Sequence, residues 1–347
     1  MAVIGASALT LADWAKRVDD NYRVAAIVEL LSQTNEILDD MLWVEGNLAT
    51  GHKTTVRTGL PQATWRMLNY GVPKGKSTTA QIVDDCGMLE VYAEVDKDLA
   101  DLNGNTAQFR MSEAKAFIQG MSQQMATTLF YGNRNINPER FTGLAPRYNT
   151  VSLATAQTAA NVIDAGGTGS TNTSIWIVTW GSDTAHGIFP KGKVAGLQHK
   201  DYGEWTLMDA AGGQYQGYRD HFKWDCGLTV RDWRYIVRIA NIDVTLLAGG
   251  SAANLINLMI RALRRLPTTS RQQSNVQKSD APTIMGSMGR TVVYCNRTLA
   301  TYFDIQATNK TNVLLNLREF DGMVVPAFRG IPIRVCDAIL NTEARVV

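Results

Sequence analysis

Histidine and cysteine are scarce in this chain, with four of each in 347 residues. The cysteines (Cys86, Cys226, Cys295, Cys336) lie far apart and form no Cys-x-x-Cys pair, so no disulfide framework is expected and the thiols read as reduced and buried. His221 and Cys226 stand five apart, but no second pair completes a tetrahedral set, so neither a metal site nor a cofactor is expected. No serine occupies a G-x-S-x-G elbow, and there is no HExxH or calcium-loop spacing. A formal net charge of only +2 provides no global field for nucleic acid or acidic lipid. No apolar run approaches the ~18 residues of a membrane span. The N-terminus, MAVIGASALTLADWAKRVDD, lacks the basic start and apolar core of a signal peptide, so the expected compartment is cytoplasm-like.

With 45% hydrophobic and 19% charged residues, the chain has the composition of a folded protein large enough for two subdomains. Its start reads as short helices, one opened by Thr10 and Asp13 and another over about 23–38. Residues 43–96 alternate Thr and Val between Gly and Pro punctuation, which predicts a long hairpin with its tip at 71–75. A two-stranded ribbon is marginal alone. The spacing of Ala114, Phe117, Ile118, Met121, Met125 and Leu129 predicts a helix over about 112–131, closed by a left-handed Gly132. Beyond 150, strands are expected at 174–180, on either side of a turn at Gly227 within 221–243, at 290–296 and at 327–340. Helices are expected at 252–266 and from 297. Strands and helices mix without strict alternation, so the class is α+β.

The stretch NYGVPKGKST (69–78) comes near a phosphate-binding loop, since Gly75-Lys76-Ser77 fits its end. However, Tyr70 stands where the first glycine belongs, Pro73 removes an N–H, and a strand-like run follows instead of a helix. A nucleotide- or phosphate-binding enzyme using 71–78 is therefore the alternative reading. GGTGS at 166–170 precedes a strand and reads as a turn; Asp84-Asp85 and Asp96/Asp98 lack the remaining ligands of a cation site. Arg261, Arg264 and Arg265 share a helix face near Arg271 and are candidates for facing nucleic-acid phosphates. Charge also segregates: residues 46–83 hold Lys53, Arg57, Arg66, Lys74 and Lys76 and no acid, whereas 84–101 hold seven acids against Lys97. Such segregation suits docking of complementary surfaces.

In LTLADWAKRV, AAIVELLSQTNEILDDMLWVEGN, TGHKTTVRTGLPQATWRML, YAEVDKDLADLNGN, LFYGN, RFTGLAPRYN, GIFPKG, RDWRYIVRIANID and FRGIPIRVCDAI, the chain resembles the major capsid proteins of tailed bacteriophages with the Hong Kong 97-type fold. The passages run nearly end to end, and their order carries the resemblance. It implies an N-terminal arm (1–42), an E-loop hairpin (43–96), and a spine helix with the peripheral domain (97–150). It also implies an axial domain in two parts (151–204 and 248–320), peripheral strands (205–247) and a closing strand (321–347). The implied role is non-enzymatic: self-assembly into hexamers and pentamers of an icosahedral virion head, built in the bacterial host cytoplasm and enclosing double-stranded DNA. The implied partners are further copies of itself, a portal protein, a separate scaffold protein and a decoration protein, with no membrane. The 42 residues before the hairpin are too few for a built-in scaffolding domain. An encapsulin-like compartment shares this fold as a further alternative. On this reading Arg57, Arg66, Lys74 or Lys76 of one subunit docks against Glu90, Glu94, Asp98 and Asp101 of a neighbour.

Overall fold

The computed structural model describes residues 33–347 other than 210, 249–252, 268–288, 309–314 and 321–322. The helix expected after Thr10, most of that expected over 23–38, and Arg271 lie outside the described residues. The described chain begins with a helical turn α1 (Ile37–Asp40) and strand β1 (Trp43–Glu45), then enters the hairpin of β2 (Gly51–Gly59) and β3 (Thr78–Asp96). Asp96 ends β3 and caps the turn α2 (Lys97–Ala100), its carboxylate accepting the Asp98 amide at 2.9 Å. The long helix α3 spans Thr106–Tyr131, a turn and a half longer at its start than the apolar spacing predicts. Phe109 explains the extension, because it is buried against Val95, Leu99 and Ala100. Gly132 ends the helix with φ −53° and not in the left-handed form expected. Glycine is needed there for close approach, since a Cβ would lie 2.5 Å from the Phe141 carbonyl oxygen and 2.6 Å from that of Thr128.

The chain continues through β4 (Val162–Asp164), β5 (Asn172–Trp180), β6 (Ala185–Phe189), β7 (Gln198–Met208), β8 (Gln214–Val230) and β9 (Ile236–Asp243). Gly227 does not make the expected turn; β8 runs through it and the break falls at 231–235. A Cβ at Gly227 would stand 2.6 Å from the Asp85 carbonyl oxygen, so this glycine lets β3 lie close. Helices α4 (Val244–Ala248) and α5 (Leu255–Arg265) precede β10 (Arg290–Cys295), α6 (Arg297–Thr308), β11 (Leu315–Phe320), β12 (Met323–Phe328) and β13 (Ile331–Val335). The single closing strand expected at 327–340 is instead a tight hairpin, turned by Arg329 and Gly330, both with positive φ.

Hydrogen bonds link the described strands in the order β11-β12-β13-β10-β5-β6-β8-β3-β2, with β9 and β4 beyond β5, β7 on β8 and β1 on β6. Strand β5 is buried at all nine positions and sorts its side chains by parity. Trp176, Val178 and Trp180 enter one core, where Met125, Ala126, Leu129 and Phe130 of α3 meet them. Ile175 and Ile177 enter a second core roofed by α5 and α6. Strand β10 repeats the alternation with Val292 and Tyr294 on one side and Val293 and Cys295 on the other. Each such fully buried side chain stabilises the fold by about 1.5–3 kcal/mol, and the central strands are covered on both faces. Beyond the cores, β3 and β8 run together for eleven residue pairs, Cys86–Asp96 against Gly217–Gly227, and carry the hairpin outward.

Candidate functional site at the exposed arm

Strands β2 and β3 pair from Gly51↔Asp85 to Gly59↔Thr78, with an irregularity between Arg57 and Gly59. From residue 60 to residue 83 every position is exposed. Trp65 is 101% exposed and Leu68 90%, and Leu60, Met67, Tyr70 and Val72 are exposed beside them. Unpartnered apolar groups at this density mark an interaction surface. The sequence carries the same residues, but Pro and Gly between them hide any period, so their apolar character was less legible than their charge. Thr78 opens a strand, so the 69–78 loop lacks the helix N-terminus on which a phosphate would sit.

The basic side chains of this arm stand apart from the carboxylates expected to complement them. Arg57, Arg66, Lys74 and Lys76 are exposed, and Arg66 Nε donates to the Tyr70 carbonyl at 2.9 Å. Glu90 receives Lys223 Nζ at 2.5 Å and lies 3.2 Å from His221 Nε2, and Glu94 receives Arg219 at 2.6 Å. The Lys223 hydrogen bond and charge hold the Glu90 carboxyl below its usual range. Asp101 accepts from Thr106 Oγ1 at 2.6 Å and from Tyr218, while Asp98 is exposed. Two of the four expected docking carboxylates are thus ion-paired within their own chain. Asp84 and Asp85 bind Arg147 and Arg134, and Asp96 is a helix cap, so none of the adjacent acid pairs forms a cation site. Among the described residues no cluster of His, Cys, Asp or Glu could hold a metal ion. Arg265, although exposed, donates to the carbonyls of Ala160 and Val162 and ties α5 to β4, whereas Arg261 and Arg264 are exposed on the same helix.

At the arm's root two histidines face each other. The His52 and His186 rings meet edge-on with centroids 5.7 Å apart, between β2 and β6. His186 is 1% exposed, its Nδ1 lies 3.3 Å from the Gly181 carbonyl oxygen, and its Nε2 meets no protein partner. Burial, with lesser effects of His52 and Arg231, pushes the ring down to about 4, against the opposing pull of the Gly181 carbonyl and Asp84. Burial also lowers His52, with Arg231 adding to it and Asp84 opposing. A His held neutral when folded and protonated when unfolded costs stability as pH falls below the unfolded value. Stability should therefore be steady above pH ~6.5 and decline towards pH ~4, by up to ~3 kcal/mol from His186. Urea midpoints at pH 7.5 and 4.5 check this: His186→Gln should narrow the gap between them, and an unchanged gap would refute it.

A family model, major capsid protein GP7, matches residues 19–347. No curated protein matches the chain. Among solved structures, the near-atomic structure of bacteriophage Epsilon15 contains a chain 41% identical to this one, with a TM-score of 0.73, covering 100% of this chain and 99% of that one. The capsid of bacteriophage JBD30 is 9% identical with a TM-score of 0.48 (89% and 93% covered), and that of a native GTA particle 10% identical with 0.47 (68% and 99%). The α+β, Hong Kong 97-type fold expected from the sequence is the fold found. The chain belongs to the GP7 family of phage major capsid proteins.

Proposed function

We propose that this capsid protein assembles into hexamers and pentamers of an icosahedral head that encloses double-stranded DNA. The observation that carries the proposal is the arm: residues 60–83 are exposed throughout, rich in apolar side chains and free of acid, and among the described residues no element covers them. A ribbon of this kind gains its stabilisation from a neighbour. The stretch 43–96 is then the E-loop and α3 the spine helix within 97–150; 151–204 and 248–320 form the axial domain, 205–247 the peripheral strands and 321–347 the closing part of the peripheral domain.

Assembly in the host cytoplasm, with a portal protein, a separate scaffold, a decoration protein and DNA on the inner face near Arg261 and Arg264, completes the reading. The role is structural and non-catalytic, which the family supports. Lys76→Ala should leave the isolated subunit folded and weaken shell formation, as followed by sedimentation and negative-stain imaging. Saturable ATP binding by the wild type, lost in Lys76→Ala, would overturn the reading in favour of a nucleotide enzyme.

A further inference from the structure

The contact between His52 and His186 joins two strands that do not pair. In the order β6-β8-β3-β2, two strands separate β6 from β2, and among the described residues the two share no ladder. Their rings nevertheless meet, so the four strands curl until the first faces the last. His52 stands opposite Asp84 and His186 opposite Thr229, and the pairing of Cys86 with Gly227 relates the two pairs. All four side chains therefore share the concave face. His52 Nδ1, Asp84 Oδ2, His186 Nε2 and Thr229 Oγ1 find no protein partner there, and Thr54 Oγ1, two residues along β2, is a fifth such atom. Thr54, Asp84, His186 and Thr229 are each more than nine-tenths buried. Buried polar atoms are nearly always paired, so their concentration at one place needs a reason.

We propose that this contact is a joint that acid opens: neutral rings hold the root of the arm against the body of the subunit, and their protonation releases it. The joint lies within one subunit and does not depend on the assembly reading. The arm has few other ties at this point. Strand β2 pairs with β3 alone, and beyond Cys86 the ladder between β3 and β8 has ended. A main-chain bond that spans the contact runs from the Lys191 amide to the Leu48 carbonyl at 3.2 Å. The surrounding charges set the sign. His186 meets His52 from β2, Asp84 from β3 and Arg231 from the segment after β8, while β8 itself presents the uncharged Thr229. His52 meets Arg231 and Asp84 as well as His186. The Asp84 carboxylate is already taken up by Arg147 at 2.7 Å, and Arg231 lies 3.2 Å from Asp183. Farther along the same face, Lys193 binds Asp225 at 2.8 Å. Two protonated rings would face each other in a buried place whose carboxylates are already paired, so proton uptake favours the open arrangement.

Hydrogen exchange of the isolated subunit tests the joint through the Lys191 amide. With the His186 ring at about 4 when closed and near 6.5 when freed, proton linkage makes the open form about twentyfold more populated at pH 5.0 than at pH 7.0. The protection of Lys191, corrected for the exchange of free amides, should fall by that ratio. The amides of β5 should remain about tenfold or more better protected than Lys191 at both pH values, which marks the opening as local. His186→Gln should reduce the ratio at Lys191 to below about threefold. Lys191 protection that does not change with pH in the wild type would overturn the joint. So would protection equal to that of β5, because only global unfolding would then free the ring. A His186→Gln subunit that keeps the twentyfold ratio would assign the response to other groups and overturn the joint as well. The wild-type values decide the matter even where the variant does not fold.

Discussion

Glu343→Ala should lower the stability of the subunit by about 3–5 kcal/mol, the usual loss when one member of a buried ion pair is removed. Glu343 and Arg238 are 6% and 4% exposed and meet at 2.9 Å between the C-terminal segment and β9. The carboxylate also accepts from Tyr131 at the end of α3, at 2.5 Å, and from Ser174 of β5. Arg238 donates to the Tyr148 carbonyl at 2.8 Å and stacks over Trp176 at 4.9 Å. Removing the carboxylate leaves a guanidinium in the core with its charge uncompensated, and removes the group that joins four segments. Burial and the nearby carboxylate push the Tyr131 hydroxyl well above its usual range, so Tyr131 remains a neutral donor. Arg238→Met combined with Glu343→Leu should recover much of the loss, because the charge and its desolvation disappear together. Urea unfolding of the isolated subunit reads both values. A single-variant loss below about 1 kcal/mol, the range of exposed pairs, would show that the network adds little.

Replacing Trp65 and Leu68 together by Ser should abolish shell formation while leaving the subunit as stable as the wild type. Exposure argues for both halves of this expectation. At 101% and 90% exposed, these side chains give their own chain nothing to lose, so the change in stability should stay within about ±0.5 kcal/mol. In an interface their apolar area is what an association would bury, and aromatic anchors commonly dominate such contacts. Sedimentation of the double variant should show only small species. Shells at wild-type yield would sink the proposed role of the arm, and a large fall in thermal midpoint would show that the tip packs on its own subunit. The distinction matters because a core variant such as Leu129→Ala should also lower shell yield, but by destabilising the subunit by about 2–5 kcal/mol.

Some of this was legible from short-range pattern. The apolar run of 174–180 placed β5, the three-and-four spacing through Met121, Met125 and Leu129 placed α3, and the Thr and Val alternation between Gly and Pro over 43–96 marked the arm. Each rests on neighbours within a few residues, where periodicity acts. Gly227 was misread for the same reason. A glycine in a strand and a glycine in a turn look alike until the strand that crosses it is known.

By itself, then, the sequence determined the α+β class, the long hairpin, the long helix and the family, all of which follow from composition, local period and the order of passages. Only the tertiary structure decided that Glu90 meets Lys223 from 133 residues away, that Glu94 meets Arg219, and that His52 faces His186 at the arm's root. Partners so distant along the chain are chosen by strand register and helix placement, which depend on the packing of both cores at once and leave no periodic trace in either segment.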